Sequence, residues 1–95
     1  MNKTIICILN KNDGKNLYLL KDKILKLKKK YKVILVDGNS NDNSHDIANS
    51  INLEILNLKE LSRGESIVKC VELFKTSFKY IIFTSSDGEE DFDDI

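Results

Sequence analysis

Apolar and polar residues follow one another in blocks whose spacing predicts four strands and three helices. Short apolar runs at 4–9, 33–36 and 80–83 are typical of buried strands. Residues 53–58 roughly alternate apolar and polar side chains, which predicts a strand nearer an edge of the sheet. Apolar residues at helical spacing separate these runs, so strands and helices alternate. This order favours a parallel α/β sheet with right-handed crossovers and helices on both faces.

Polar residues mark where the predicted helices begin. The first helix is predicted over about residues 15–30, with lysines on the faces away from its apolar stripe. Asp42 or Asn43 is placed to cap a short second helix. Ser62, with Glu65 three residues later, matches the capping box and predicts the start of a long third helix.

Composition indicates one small globular domain. The chain has 95 residues, of which 41% are hydrophobic and 32% are charged, so it can bury a single core. Cys7 lies in a strand pattern and Cys70 on an apolar helix face, which predicts buried, reduced thiols in a cytosolic protein. No apolar run approaches the roughly 20 residues that span a bilayer. We therefore expect one domain over residues 1–95 and a cytoplasmic location.

Charge is balanced over the whole chain but unevenly distributed. Residues 1–32 contain ten lysines and two acids, and residues 85–95 contain six acids and no base. The basic half favours contact with phosphates. A solvated helix face over residues 21–32 is the simpler interpretation of the same lysines.

Polar residues follow three of the predicted strands, and the carboxyl ends of parallel strands lie at one edge of a sheet. Asp37 directly follows the apolar run 33–36, the position at which open α/β sheets bind ligands. Converging carboxylates predict a divalent cation and a phosphorylated or hydroxyl-rich ligand. The residues expected at this edge are Asn12, Asp13, Asp37, Asp42, Asp87 and Glu89.

Several of these candidates have simpler structural interpretations. Asp42 is better explained as a helix cap, and Asn12 with Asp13 belongs to an ordinary turn as readily as to a binding site. Arg63 and Gly64 at a helix start either present a guanidinium to an anion or form a cap and turn. His45 is expected on a solvated helix face. A glycine-rich phosphate loop is absent from the sequence, which argues against a dinucleotide-binding or P-loop enzyme.

Five segments in chain order resemble motifs of family 2 glycosyltransferases of the GT-A fold, most closely the dolichol- or polyprenyl-phosphate sugar transferases. They are Ile8–Asp13, similar to IPAxNE; Val36–Ser44, similar to VDDGSTDGS; Arg63–Cys70, similar to KGxAxxxG; Tyr80–Glu89, similar to YVVFLDADGQ with its DxD; and Asp91–Ile95, similar to DPEDI. The resemblance implies a three-layer α/β/α, Rossmann-like half-domain with a mostly parallel four-stranded sheet of order 3-2-1-4.

The same resemblance implies a function and a set of site residues. The chain is expected to be the nucleotide-sugar-binding portion of a glycosyltransferase whose parent activity passes a sugar to a lipid-phosphate or glycan acceptor. A divalent cation, Mg²⁺ or Mn²⁺, is expected on the diphosphate. The resemblance places nucleotide binding at Asn12, Asp13, Asp37 and Arg63, and metal binding at Asp87 and Glu89.

This sequence departs from the family pattern at three positions. Ser85 replaces the first aspartate of DxD, Gly38 the second aspartate of VDDGS, and Leu9 the proline of IPAxNE. Weaker metal affinity is expected as a result. In the family, the acceptor site and the catalytic base lie beyond the matched segments. We therefore expect a domain truncated relative to the family and inactive alone, and leave open whether it is an enzyme.

Alternative functions and partners follow from the same features. A non-catalytic interaction or regulatory module would retain the fold without the chemistry and self-associate through exposed sheet edges. A receiver-like phosphoacceptor using Asp37 is disfavoured, because residues 10–14 lack the acidic pair usual after the first strand. The expected ligand is a nucleoside diphosphate sugar and not a nucleic acid. The parent protein is expected to associate with a membrane, at its cytoplasmic face.

Overall fold

The computed structural model describes residues 3–59 and 61–87 and contains the seven predicted elements in the predicted order. Where the sequence-based boundaries differ, they shift by one or two residues. β1 and β2 are longer than predicted because the polar end residues Asn10 and Asp37 continue the strand ladder. No helix in the described ranges is both long and apolar enough to cross a membrane. The elements are β1 (Thr4–Asn10), α1 (Gly14–Lys28), β2 (Lys32–Asp37), α2 (Ser44–Ser50), β3 (Glu54–Asn57), α3 (Arg63–Phe74) and β4 (Tyr80–Ser85).

The four strands form one parallel sheet in the order β3-β2-β1-β4, which confirms the predicted topology. In the central strand, Ile8 is level with Leu35 of β2 and Thr84 of β4. The carboxyl ends of β1, β2 and β4 therefore lie side by side, and their loops meet at one edge. β3 lies at one edge of the sheet, as its alternating pattern predicts, and β4 lies at the other. At this edge the apolar run 80–83 is exposed or half-buried, and not buried as expected.

Two apolar layers enclose the sheet, because alternate side chains of β1 point to opposite faces. Ile6 and Ile8 pack with α1 and α2 on one face, in a cluster that includes Leu17, Leu20 and Ile24. On the other face, β1 packs with α3 in a cluster that contains Ile5, Cys7, Leu9 and Cys70. Burial on both faces explains why the central strands are continuous apolar runs.

Both cysteines are free and fully buried. Burial, with Cys70 close by, raises the pKa of the Cys7 thiol to about 12. Burial also raises the pKa of Cys70. Both side chains are therefore protonated, apolar parts of the core at neutral pH, which confirms the prediction of buried, reduced thiols.

The start of α3 is the capping box that the sequence predicts. The backbone N–H of Glu65 donates to Ser62 Oγ at 3.1 Å, and the backbone N–H of Ser62 donates to Glu65 Oε1 at 3.0 Å. These bonds lower the pKa of the Glu65 carboxyl. The box fixes where α3 begins and therefore where Arg63 is presented.

One carboxylate, that of Asp42, holds the starts of two helices. Asp42 Oδ2 accepts from the N–H of Gly14 at 2.9 Å, and Oδ1 accepts from the N–H of Ser44 at 3.0 Å and from its hydroxyl at 2.6 Å. Gly14 and Ser44 are the first residues of α1 and α2, whose N–H groups need acceptors and whose positive dipole ends favour a carboxylate. Asn43 is the N-cap residue of α2 but makes no side-chain cap hydrogen bond, and Asp42, one residue earlier, supplies the acceptor instead. Asp42 also ties α1 to α2.

Replacing Asp42 with alanine should therefore destabilise the fold. We expect Asp42→Ala to lower the free energy of unfolding by about 1–2 kcal/mol, because two helix starts lose an acceptor. Urea denaturation measures this difference. Asp22→Ala, which removes an exposed acid from the interior of α1, should change it by no more than about 0.5 kcal/mol. Equal effects of the two substitutions would contradict the role given to Asp42.

Candidate functional site

A cleft opens at the carboxyl ends of β1, β2 and β4, beside the start of α3. This is where open α/β sheets bind ligands, and where the sequence places its carboxylates. The apolar lining of the cleft includes Leu9 of β1 and Val36 of β2. Its polar lining includes Lys11, Asp13, Arg63, Ser86 and Asp87.

Asp37, at the end of β2, is fully buried beside this cleft, and both carboxylate oxygens have two partners. Oδ1 accepts from Asn10 Nδ2 at 2.9 Å and from the Ser40 hydroxyl at 2.7 Å. Oδ2 accepts from the Ser40 N–H at 2.7 Å and lies 2.9 Å from His45 Nε2. A buried carboxylate needs such partners, and here they come from β1, from the loop after β2 and from α2.

The surroundings of Asp37 favour its ionised form. Burial alone would raise its pKa, but the hydrogen bonds from Ser40, Asn10 and His45 outweigh burial and hold the pKa below its usual value. Asp37 is not among the residues that line the cleft, and its hydrogen bonds hold Asn10, Ser40 and His45 in position beside it.

Asn10 extends this network from Asp37 towards the cleft. Its Nδ2 donates to Asp37, and its Oδ1 lies 2.8 Å from the Ser86 hydroxyl. The same hydroxyl is 3.1 Å from Asp13 Oδ2, so it can donate its proton to either acceptor. The ends of β2, β1 and β4 are thereby joined to Asp13 through side chains alone.

Asn12 belongs to a contact between the loop after β1 and the loop after β2. It adopts a left-handed backbone, with φ of 49°, which asparagine tolerates better than most residues. Its N–H donates to the Ser40 hydroxyl at 2.7 Å, and its Oδ1 accepts from the N–H of Asn41 at 2.8 Å. Asn12 therefore holds together the two loops beside the site.

The structure divides the predicted nucleotide-binding residues into two groups. Asp13 and Arg63 line the cleft. Asn12 and Asp37 lie in the hydrogen-bonded support next to it. All four are near the same edge of the sheet, and their contact with a ligand stays a prediction.

The described residues do not form a metal site around Asp87. The Ser85 hydroxyl donates to Asp87 Oδ1 and so occupies one of its oxygens. Within residues 3–59 and 61–87, no three acidic, histidine or cysteine side chains come together in a way that could hold a metal ion. Asp87 alone does not fit a divalent cation, which takes several oxygen ligands. The other predicted ligand, Glu89, lies outside the described residues.

Four residues of the network lie outside the sequence-based prediction: Asn10, Ser40, His45 and Ser86. His45 is a correction, because it was expected on a solvated helix face and instead contacts Asp37. Its helix begins close enough to Asp37 for the first turn to direct the ring back to β2. One sequence feature could have indicated a role for Asn10 in the site: it is a polar residue that ends an apolar strand at the candidate edge.

Comparison with protein families identifies the chain. The model of glycosyl transferase family 2 matches residues 4–95. The chain belongs to glycosyltransferase family 2. The match covers every strand and helix of the fold, including the cleft edge. It confirms the family inferred from the motifs but not the closer likeness to dolichol-phosphate enzymes.

Two solved structures share the fold of this family 2 chain. The glucosyl-3-phosphoglycerate synthase of M. tuberculosis is similar with a TM-score of 0.74 and 18% identity, over 90% of this chain and 35% of that one. Glycinamide ribonucleotide transformylase 1 from Symbiobacterium toebii is similar with a TM-score of 0.56 and 14% identity, over 85% and 41%. The chain thus spans about a third of the length of the synthase. No curated protein sequence matches it.

Loss of the Asp37 charge should destabilise the domain. We expect Asp37→Asn to lower the free energy of unfolding by about 3 kcal/mol, because one amide cannot accept from all four donors. Urea denaturation at pH 7 measures the change, with Asp46→Asn, an exposed acid of α2, as the control. A loss below about 0.5 kcal/mol would contradict the role of Asp37.

The stabilisation by Asp37 should also depend on pH. Its pKa is lower in the folded chain than in the unfolded one, so its contribution is complete above the unfolded pKa of about 3.9. It is lost as the pH falls below that value towards the folded pKa. The difference in unfolding free energy between wild type and Asp37→Asn should therefore shrink below about pH 4.

Proposed function

We propose that the cleft binds a nucleoside diphosphate sugar, and that the chain is the donor-binding portion of a glycosyltransferase. Membership of family 2 supports this proposal. The observation that carries it is the joint presence of two cations, Lys11 and Arg63, and two acids, Asp13 and Asp87, on one cleft. A nucleoside diphosphate sugar has both an anionic diphosphate and many hydroxyl and N–H donors.

Each charged residue has a chemical role in this proposal. Arg63, the first residue of α3, adds its guanidinium to the positive end of the helix dipole, and Lys11 faces the same cleft. Together they attract the diphosphate or the electron-rich groups of the base. The Asp13 carboxylate accepts from ribose hydroxyls or from a base N–H. Asn12 and Asp37 act as positioning residues beneath and beside it.

Transfer of the sugar to a lipid-phosphate or glycan acceptor is proposed for the whole protein. Because the chain covers 35% of the length of the synthase it resembles, residues outside the 95 described by this sequence would complete the acceptor site. The domain over residues 1–95 would then supply donor binding, and its location would be cytoplasmic. We expect no transfer by this chain alone.

A divalent cation is a subordinate part of the proposal. Family 2 enzymes commonly use one, and Asp87 with Glu89 are the proposed ligands. The Ser85 hydroxyl would weaken such a site, because it already occupies one of the Asp87 oxygens. Mn²⁺ is therefore a variable in the binding experiment.

Calorimetric titration with UDP- and GDP-sugars, with and without Mn²⁺, tests the binding proposal. We expect binding of at least one donor, and about a tenfold or greater loss of affinity in Arg63→Ala because a charge-assisted contact is removed. Lys69→Ala, an exposed cation of α3 that does not line the cleft, should bind as wild type does. Absence of heat at millimolar donor would refute the proposal.

A second candidate is a non-catalytic module that associates with a second copy of itself. β4 pairs only with β1 among the described strands, and its six residues carry no charge. Charges and prolines commonly block such edges, and Tyr80 here is 55% exposed. The serine at position 85 also favours a module that has lost metal chemistry.

Size-exclusion chromatography with and without nucleotide sugar separates the two candidates. The donor-binding proposal predicts that ligand binding does not depend on dimer formation. The interaction-module hypothesis predicts a dimer that is unaffected by nucleotide. Tyr80→Lys, at an exposed position of β4, should convert that dimer to monomer. A monomer at all concentrations would exclude the module.

A further inference from the structure

The outer face of α1 carries an unusual combination of exposed side chains. At about 100° per residue, six residues of α1 fall within an arc of about 120° on the side of the helix away from the sheet, and Lys29 and Lys30 follow in the turn after the helix. All eight are exposed. We call this set the α1 outer face; it consists of Lys15, Tyr18, Leu19, Asp22, Leu25, Lys26, Lys29 and Lys30.

Three large apolar side chains on this face do not contribute to the core. Leu19 is 69% exposed, Tyr18 54% and Leu25 40%. The opposite face of α1 already packs on the sheet through Leu17, Leu20 and Ile24, so the fold does not need them. Leu19 lies on one side of Asp22, and Tyr18 and Leu25 lie on the other. All three apolar side chains are exposed to water in the isolated chain.

Positive charge surrounds these apolar side chains. The face has four lysines against one acid, Asp22. The ammonium of Lys21 lies 4.1 Å from the centroid of the Tyr18 ring and adds a further cation at its border. A partner must therefore be anionic and must also accept aliphatic and aromatic side chains.

We propose that the α1 outer face docks on the surface of an anionic phospholipid bilayer. Lysines next to an anionic headgroup layer gain electrostatic energy, and leucine and tyrosine beside them can enter the boundary of headgroups and acyl chains. A nucleic acid would match the lysines through its phosphates but would leave the leucines without a role. The face is separate from the cleft, since none of its residues lines it.

Docking in this way has a geometric consequence for the cleft. α1 begins at Gly14, directly after Asp13 on the cleft, so the cleft lies at one end of the docked helix. It would then be about one helix diameter, roughly 10 Å, from the bilayer surface. If the proposed function is correct, a lipid-borne phosphate acceptor would be close to the donor. Docking itself does not require that function.

Vesicle co-sedimentation of the whole chain without nucleotide tests the proposal. We expect partition onto vesicles of phosphatidylcholine with phosphatidylglycerol, little onto phosphatidylcholine alone, and weakening in high salt as the charges are screened. Replacing Lys26, Lys29 and Lys30 with glutamine should reduce partition on the order of 100-fold, about fivefold for each charge. Leu19→Ser with Leu25→Ser should reduce it further, because apolar insertion is lost.

Matched variants on the opposite layer serve as controls. Glutamine at Lys69, Lys75 and Lys79 removes the same charge, and Val68→Ser removes an exposed apolar group of α3. These variants should partition as wild type does. The proposal is overturned if the wild-type chain does not partition onto anionic vesicles. It is also overturned if the control variants lose as much partition as the α1 variants. It is also overturned if single-stranded RNA displaces the chain from the vesicles and the two leucine variants bind RNA as tightly as wild type does. Because no donor is present, failure here leaves the donor-binding proposal unaffected.

Discussion

The buried carboxylate of Asp37 is the constraint on which the cleft edge depends. A charge with no solvent exposure must be matched by hydrogen bonds, and here the donors come from Asn10, Ser40 and His45. Those donors lie on β1, on the loop after β2 and on α2. The hydrogen bonds to this one side chain therefore fix three separate segments of backbone with respect to each other.

The same network gives the cleft a prearranged wall. From Asp37 it passes through Asn10 to Ser86 and reaches Asp13, the acid that faces the cleft. A ligand that contacts Asp13 meets a side chain already oriented by its neighbours, so less conformational entropy is lost on binding. Asp42 supports this arrangement from the other side by holding the start of α1 immediately after Asp13.

The two layers of helices carry different surfaces. α3 presents Arg63 to the cleft through a capping box and exposes Val68, Val71 and Leu73. α1 and the turn after it expose apolar side chains beside four lysines. The sheet between them is apolar on both faces and has polar groups mainly at its carboxyl edge. Ligand recognition and surface attachment would therefore use different parts of one small domain, linked where α1 begins.

The sequence by itself determined the seven elements and the capping box at Ser62, because these depend on periodicity and on contacts a few residues apart. The alternation of strands and helices favoured a parallel sheet, and the resemblance to family 2 glycosyltransferases implied the strand order 3-2-1-4. The sequence also indicated the edge where Asp13, Asp37 and Arg63 gather, since strand ends share one side of a parallel sheet. Only the tertiary structure decided which of them face the cleft. Asn10 and Ser86 are 76 residues apart, and strand register alone brings them together. His45 meets Asp37 because α2 packs against the sheet, which no local pattern encodes.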